Sequence, residues 1–289
     1  MSRGVLVYNK SYCDGAVKEL ISSFCGAFRA RGVALDTVAG VTVGYGEEGL
    51  SLAPLYADFV LFYDKDVKSA YALEAAGYRV FNRASAIETC DDKQKTYAVL
   101  AGCAPLVKTY AAPLVYERPD ARIDKAFLDF IESVLGYPIV VKSSSGSLGA
   151  QVSVARKRSE LNRISKRLLC KPHIYQQFVE CGGSDLRVYV VGGKAAGILE
   201  RVCAAGSYKT NAGYASVCAL ADSPEAEAYA VNCAEKLGLD FCAVDFLRGR
   251  ESLLVCEVNS NPYFKNISAL GVDMSGMIAE YVLQMTDNK

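Results

Sequence analysis

Apolar and polar positions alternate in two different rhythms along the first 85 residues. GVLVY at 4 to 8, DFVLFY at 58 to 63 and YRVFN at 78 to 82 are strand-like runs, while helical spacing marks 14 to 31 and 66 to 76. That succession predicts βαβ units and a parallel sheet. No GxGxxG follows the first run, so the phosphate cradle of a dinucleotide-binding fold is missing from its usual place, and the lobe is read as one that positions substrate.

The stretch 86 to 102, AIETCDDKQKTYAVLAG, reads as one helix with Asp91 or Asp92 favourable near its start. Pro105 and Pro113 then mark a boundary. Beyond them the pattern predicts a helix near 123 to 136, a strand YPIVVK at 137 to 142, a Gly/Ser loop and a strand AQVSVA. A basic helix near 158 to 169 and a strand HIYQQFV follow. DLRVYVVGG and KAAGILERV form a hairpin about Gly192 and Gly193. A helix at 224 to 237, strands LDFCAVDFL and SLLVCEV, and a helix near 274 to 285 complete an α+β order without repeats or low-complexity tracts.

Composition narrows the classes. The chain has 289 residues, 51% hydrophobic and 22% charged, enough for about two packed domains and unlike a disordered or fibrous chain. Thirty-two basic side chains cancel thirty-two acidic ones, so no bulk positive field exists to hold nucleic acid. No run approaches the ~18 apolar residues of a membrane span, and the first apolar run is too short for a signal peptide, so the expectation is a cytoplasmic protein. Eleven cysteines without a CxxC pair read as reduced core residues. His173, the single histidine, sits in a hydrophobic strand and is expected to be structural.

Three places carry candidate chemistry. In IVVKSSSGSLGAQV, 139 to 152, a strand ends in Lys142 and runs into a loop of small residues with Gly146 and Gly149. Backbone N–H groups in such a loop can close over phosphate while the lysine supplies charge. The lysine precedes the glycines, so this is no Walker A motif, and an exposed hairpin with a surface lysine fits the same residues. In AVDFL and CEVNSN, period two puts Glu257 and Asn259 on one face, and a neighbouring strand brings Asp245 beside them. Three oxygen donors of this kind suit Mg²⁺, and chance surface carboxylates are the alternative. In SDLRVYVV, ILERV and SYKTN, Arg187 and Arg201 lie in apolar strands where each needs an anion, with Asp185, Glu200, Lys209 and Asn211 nearby. Structural salt bridges, such as Arg201 with a nearby Glu, would account for them too.

Taken in order, DDKQKT, IVVKSSSGSLGAQV, YQQFVECGGSDLRVYVVGGK, ILERV, YKTN, AVDF and CEVNSNP resemble the ATP-grasp superfamily, and within it the RimK-type (α-L-glutamate ligase-like) ATP-dependent carboxylate–amine ligases, over about two thirds of the chain. The resemblance implies an α/β and α+β architecture: an ATP-grasp fold of two α+β lobes after a small Rossmann-like parallel-sheet domain. It divides the chain into 1–88, a small lobe 89–178 with a phosphate lid, and a large lobe 179–289 with the metal site. It implies ATP and Mg²⁺, or Mn²⁺ in its place, with an acid activated as an acyl phosphate and captured by an amine of an amino acid, peptide or protein tail. A non-catalytic nucleotide-binding scaffold and a small-molecule kinase are the alternatives. No nucleic-acid or membrane partner is implied, and a homo-oligomer is compatible.

By motif position, the resemblance gives Lys93, Lys142, Lys209 and Thr210 to nucleotide binding. Ser144, Gly146, Ser147 and Gly149 fall in the lid, Gln177, Phe178 and Val179 at the adenine hinge, and Glu180 or Asp185 near the ribose hydroxyls. Asp245, Glu257 and Asn259 fall on metal-ligand positions, and Arg187, Arg201 and Asn211 where the family binds reacting groups. The chain departs from the family at NAGYAS after Thr210, and at Ser260, Asn261, Pro262 and Tyr263, where a small residue, Pro and Gly are usual. The family's glutamate preference therefore does not carry across with the motifs.

Overall fold

The computed structural model describes residues 2–12, 14–146, 151–203, 215–250 and 252–287. The first segment builds β1 (Arg3–Tyr8), α1 (Gly15–Arg29), β2 (Ala34–Ala39), β3 (Val43–Gly46), β4 (Gly49–Leu52), β5 (Phe59–Tyr63), α2 (Val67–Ala75) and β6 (Val80–Phe81). Its sheet has the order β2-β1-β5-β6 with every pairing parallel, as the alternating pattern predicts. The Asp14 carboxylate caps α1 by accepting from the Val17 N–H, and Leu20, Phe24 and Phe28 at four-residue spacing bury one face. The hairpin β3–β4 and the strand β2 have no counterpart in the sequence reading. Their side chains are half-buried or exposed, so no continuous apolar run announces them.

The predicted single helix at 86 to 102 is two, α3 (Ala84–Asp91) and α4 (Lys93–Leu100). Asp92 breaks it: its backbone is extended (φ −105°, ψ 107°), and its carboxylate accepts from the Gln94 and Lys95 N–H groups. Asp92 thus ends one helix and caps the next, and the break aims the start of α4, with Lys93, at the second sheet. The Lys93 N–H bonds the Ser144 carbonyl there.

That sheet comprises β7 (Thr109–Ala111), β8 (Ile139–Ser143), β9 (Val152–Ala155) and β10 (His173–Gln177) in the antiparallel order β7-β10-β8-β9. Helices α5 (Lys125–Leu135) and α6 (Arg158–Leu168) cover one face, where Leu128, Ile131, Leu161 and Ile164 pack with Ile139, Val141 and Tyr175. His173 has the structural role expected of it: its ring bonds the Lys171 carbonyl (2.7 Å) and the Tyr175 hydroxyl (2.9 Å). Burial lowers its pKa, partly offset by that carbonyl.

The third sheet has the order β13-β12-β11-β14-β15, from β11 (Ser184–Val191), β12 (Lys194–Cys203), β13 (Ala215–Ala221), β14 (Phe241–Arg248) and β15 (Leu253–Asn259). Gly192 and Gly193 turn the β11–β12 hairpin, both at positive φ (56° and 73°) as a two-residue primed turn requires. Helix α7 (Pro224–Leu237) has the boundaries read from the sequence, capped by Ser223 and ended by Gly238 in the left-handed conformation. It lays Ala226, Ala230, Cys233 and Leu237 on Leu186, Val188, Val244 and Phe246. The opposite face is divided. At one end Tyr189, Leu199, Phe241 and Ala243 join Leu6, Phe59, Leu61 and Phe81 of the first sheet and Ile278 of the final helix in one core. The short α8 (Lys265–Ser268) precedes that helix, α9 (Met274–Asp287). The other end of the face, where β11, β14 and β15 carry charge, is left for the site.

One buried side chain joins the first and third sheets. Asn82, fully buried, donates to the carbonyls of Phe241 (3.0 Å) and Ser260 (2.8 Å) and accepts from the N–H groups of Asp240 (2.6 Å) and Phe241 (3.2 Å). Each buried polar group left without a partner costs ~1–3 kcal/mol. Asn82→Ala is therefore expected to destabilise the protein by about 3 kcal/mol, read as a lower midpoint in urea. A loss under about 1 kcal/mol would contradict the bridging role.

Candidate active site

A cavity of about 370 Å³ lies between the second and third sheets. Strand alternation sets its two walls. On β8, Ile139 and Val141 face the helices, so Val140 and Lys142 face the cavity, with Val152 and Val154 of β9 beside them. The segment Gln177 to Gly183 crosses from β10 to β11 and closes one edge with Phe178, Val179 and Glu180. The facing wall is Asp185, Asp245, Leu247, Cys256 and Glu257, and Lys93 enters from the start of α4.

Most of the candidate residues therefore meet at one cavity. Lys93, Lys142, Gly146, Gln177, Phe178, Val179, Glu180, Asp185, Asp245 and Glu257 all line it. Arg187, Arg201 and Asn259 lie one bond behind, through Asp245 or Asp185. Ser144 is fully buried, and its hydroxyl has no hydrogen-bond partner among the described residues. Ser147, Gly149, Lys209, Thr210 and Asn211 lie outside the described residues.

Register builds the charged wall. Asp185 is the cross-strand partner of Arg201, and in the next row on the same face Arg187 is the partner of Asp245 and Asp245 of Glu257, so two neighbouring rows carry the charge across four strands. Arg201 grips Asp185 in a two-point fork (2.7 and 2.6 Å), and Arg187 grips Asp245 likewise (2.6 and 2.7 Å). Arg201 also reaches Asp245 at 3.1 Å, which joins the pairs into a chain of alternating charge. The salt-bridge alternative for Arg201 thus holds with a different partner, Asp185 in place of a glutamate. With both oxygens of Asp185 on Arg201, Glu180 is the exposed carboxylate at the cavity rim.

Burial pushes the Asp245 carboxyl up, but Arg187 and Arg201 outweigh it and hold it below the ordinary carboxylate value. Both arginines are raised: burial alone would lower them, and the carboxylates reverse the sign. Lys93 lies 3.3 Å from Glu257 and donates to the Gly146 carbonyl at 2.9 Å. Among the described residues the buried Lys142 ammonium meets only a thiol at the cavity wall, Cys256 at 3.4 Å, a weak acceptor for a buried cation. Burial in turn raises the Cys256 thiol, in spite of Lys142.

The sequence reading missed the apolar walls Val140, Val154, Leu247 and Cys256. Alternation from Lys142 would have found Val140, but nothing local foretells Cys256. A register shift between Asp245 and Phe246 leaves Cys256 unpaired as an extra residue, so Cys256 and Glu257 both face the cavity.

The donor set fits a hard divalent cation. Asp245 and Glu257 are opposed across two strands, and the Asn259 amide lies 3.5 Å from Asp245. Among the described residues no three His, Cys, Asp or Glu form a metal cluster, so a cation here would draw further ligands from phosphate and water, as Mg²⁺ does.

Residues 90–282 match the model of the RimK-like ATP-grasp domain. N-acetylaspartylglutamate synthase A of Homo sapiens is 32% identical over 281 residues, covering 90% of this chain and 69% of that protein. Beta-citrylglutamate synthase B of Danio rerio is 33% identical, covering 78% of this chain and 56% of that protein. The crystal structure of a RimK domain ATP-grasp protein from Sphaerobacter thermophilus superposes with a TM-score of 0.73 at 23% identity, covering 98% of this chain and 100% of that one. The chain belongs to the RimK-like ATP-grasp family. Membership makes the class of reaction ATP-dependent ligation of a carboxylate to an amine.

Arg187→Met removes one cation from Asp245 and leaves Arg201. Breaking a buried pair costs about 3 kcal/mol, and that deficit is expected at pH 7. Because folding holds the Asp245 carboxyl low, the pair's contribution is present above the unfolded value of about pH 3.9 and lost as pH falls through the lower folded value. Urea denaturation at a series of pH values should show a constant gap between wild type and variant above about pH 5 that narrows in stronger acid. A gap that widens in acid would contradict the pairing.

Proposed function

We propose that this protein is an ATP- and Mg²⁺-dependent ligase that joins a carboxylate to the amine of an amino acid, peptide or protein tail through an acyl phosphate, releasing ADP and phosphate. The observation that carries this reading is the facing of two buried ammonium groups, Lys93 and Lys142, with Asp245 and Glu257 across one cavity. The three-part division 1–88, 89–178 and 179–289 goes with it, one of the three large sheets to each part and the small β3–β4 hairpin in the first.

The apolar walls Val140, Val154, Leu247 and Cys256 suit a purine, held by backbone groups of Gln177 to Val179 with Glu180 at the ribose. Lys142 and Lys93 take phosphate oxygens beside Ser144 and Gly146. A Mg²⁺ held by Asp245, Glu257 and Asn259 would neutralise charge on the transferred phosphoryl group. Transfer to a carboxylate brings two anions together, and the role we give to Arg187 and Arg201, one bond behind the cavity, is to offset the repulsion and fix the line of approach. The acyl phosphate hydrolyses in water, so the reaction needs water excluded, the task that the family resemblance gives to residues 143 to 149. No covalent protein nucleophile is needed, in keeping with a histidine turned to the helix side.

Both named relatives carry glutamate in the name of their product, which makes an acidic amino acid the first amine to try. Ser260 to Tyr263 replace the family's small residue, Pro and Gly next to the metal ligands, so the panel must extend to other amino acids and peptides.

Incubation with ATP, Mg²⁺ and a panel of acids and amines should yield ADP and phosphate only when a productive pair is present, with the amide identified by mass spectrometry. AMP and pyrophosphate as products would refute the mechanism. Glu257→Gln is expected to lower kcat by about a thousandfold, the equivalent of ~4 kcal/mol of lost charge stabilisation. Unchanged turnover at limiting Mg²⁺ would remove Glu257 from the metal site.

A further inference from the structure

The Asp245 carboxylate is saturated. Oδ1 accepts from Arg187 Nε at 2.6 Å and lies 3.1 Å from Arg201 Nη2. Oδ2 accepts from Arg187 Nη2 at 2.7 Å and from Asn259 Nδ2 at 3.5 Å. An ionised carboxylate offers about four lone-pair sites, and four donors already occupy them. A cation can reach Asp245 only if one of them leaves. Arg201 is anchored by its own fork to Asp185, whereas the ion pairing of Arg187 among the described residues is to Asp245. Of the two arginines, Arg187 is therefore the one that can be spared, the Asn259 amide at 3.5 Å being a weak contact that blocks little. The half-buried Glu257 repeats the arrangement with the buried Lys93 at 3.3 Å.

We propose that, without ligand, Arg187 and Lys93 are stored on the carboxylates that receive metal, so that metal and phosphate enter by a single exchange of partners. The inference rests on the reading of Asp245 and Glu257 as metal ligands and adds the order of events at that site. A divalent cation arriving alone would displace Arg187 into a buried setting without an anion, and such a charge is costly. A phosphate arriving alone would strip the carboxylates of their cations at a similar cost. When both arrive, Asp245 and Glu257 pass from arginine and lysine to the metal, while Arg187 and Lys93 pass from carboxylate to phosphate. No buried charge is left single at any point. Coupling of this kind is reciprocal: phosphate must tighten metal binding by the factor by which metal tightens phosphate binding. Arg187 thus acts as a brake on metal binding in the empty site and as a phosphate ligand in the filled one. A permanent structural salt bridge, the competing account, gives Arg187 the first set of contacts and never the second.

Mn²⁺ is the probe, followed by electron paramagnetic resonance on the full chain with and without ADP. Arg187→Met is expected to bind Mn²⁺ at least tenfold more tightly than wild type in the absence of nucleotide, and to gain less from ADP. Arg187→Lys, which keeps a cation on Asp245, should stay near wild type without ADP. If Arg187→Met does not fold, Lys93→Met carries the same test at Glu257. Nucleotide-free affinity no tighter than wild type in the variant tested would overturn the exchange. Asp245→Asn separates the two levels of the reading. Should wild type take up Mn²⁺ with ADP, and Asp245→Asn lose it, the metal assignment stands and an unchanged Arg187→Met sinks the exchange alone. Should Asp245→Asn bind as wild type does, or wild type bind no Mn²⁺ under any condition, the metal assignment fails and takes the exchange with it.

Discussion

Four linked charges, Arg187, Asp245, Arg201 and Asp185, are held in the interior of this protein because each is paired, and everything at the site depends on that linkage. Pairing follows from register: Asp185 opposite Arg201, Arg187 opposite Asp245 and Asp245 opposite Glu257. A slip of one residue in β11 would turn Asp185 and Arg187 into the packing of α7 and bring Leu186 and Val188 to the charged side. The apolar face therefore enforces the position of the charged one. Burying α7's alanines and Cys233 against Leu186, Val188 and Val244 fixes which side of the sheet remains for chemistry.

The first sheet completes the arrangement from the other end of the same face. By covering Tyr189, Leu199 and Phe241 it leaves the stretch around Asp185, Asp245 and Leu247 as the part of that face open to the cavity. Asn82 locks this contact at the start of β14 and just after β15, and so spans the two strands that carry Asp245 and Asn259. The second sheet supplies the opposite wall by the same rule of alternation, giving Ile139 and Val141 to its helices and Val140 and Lys142 to the cavity. The second sheet is tied to the third at two places, through the segment Gln177 to Gly183 that leads into β11 and through Pro105 to Val107, which bond the Val255 backbone of β15 just before β7 begins.

Much of this is written in local patterns. Ser223, Pro224 and Gly238 delimit α7, Gly192 and Gly193 set the hairpin, and the strands bearing Lys142, Asp245 and Glu257 show in their apolar runs. Most of the candidate residues that are described gather at or directly behind one cavity, Lys142, Asp245 and Glu257 among them because each sits at the cavity-facing position of a strand that the sequence delimits. What could not be read is one local competition at Asp92 and, beyond it, features that depend on partners distant in sequence. Asp92 was expected to favour the start of one helix, yet capping outweighs continuation there and splits it. Arg201 needed an anion, and only register says that the anion is Asp185. The extra residue at Cys256 is a property of two strands together. The half-buried β3–β4 hairpin carries too little apolar contrast to stand out from a loop.

The most direct test is a crystal structure with a non-hydrolysable ATP analogue and Mn²⁺, the metal located by its anomalous scattering. The account predicts the purine between Val140, Val154, Leu247 and Cys256, Mn²⁺ on Asp245 and Glu257, and Arg187 withdrawn from Asp245 toward phosphate. Nucleotide bound away from this cavity, or Mn²⁺ placed elsewhere while the Arg187 fork stays closed on Asp245, would contradict it.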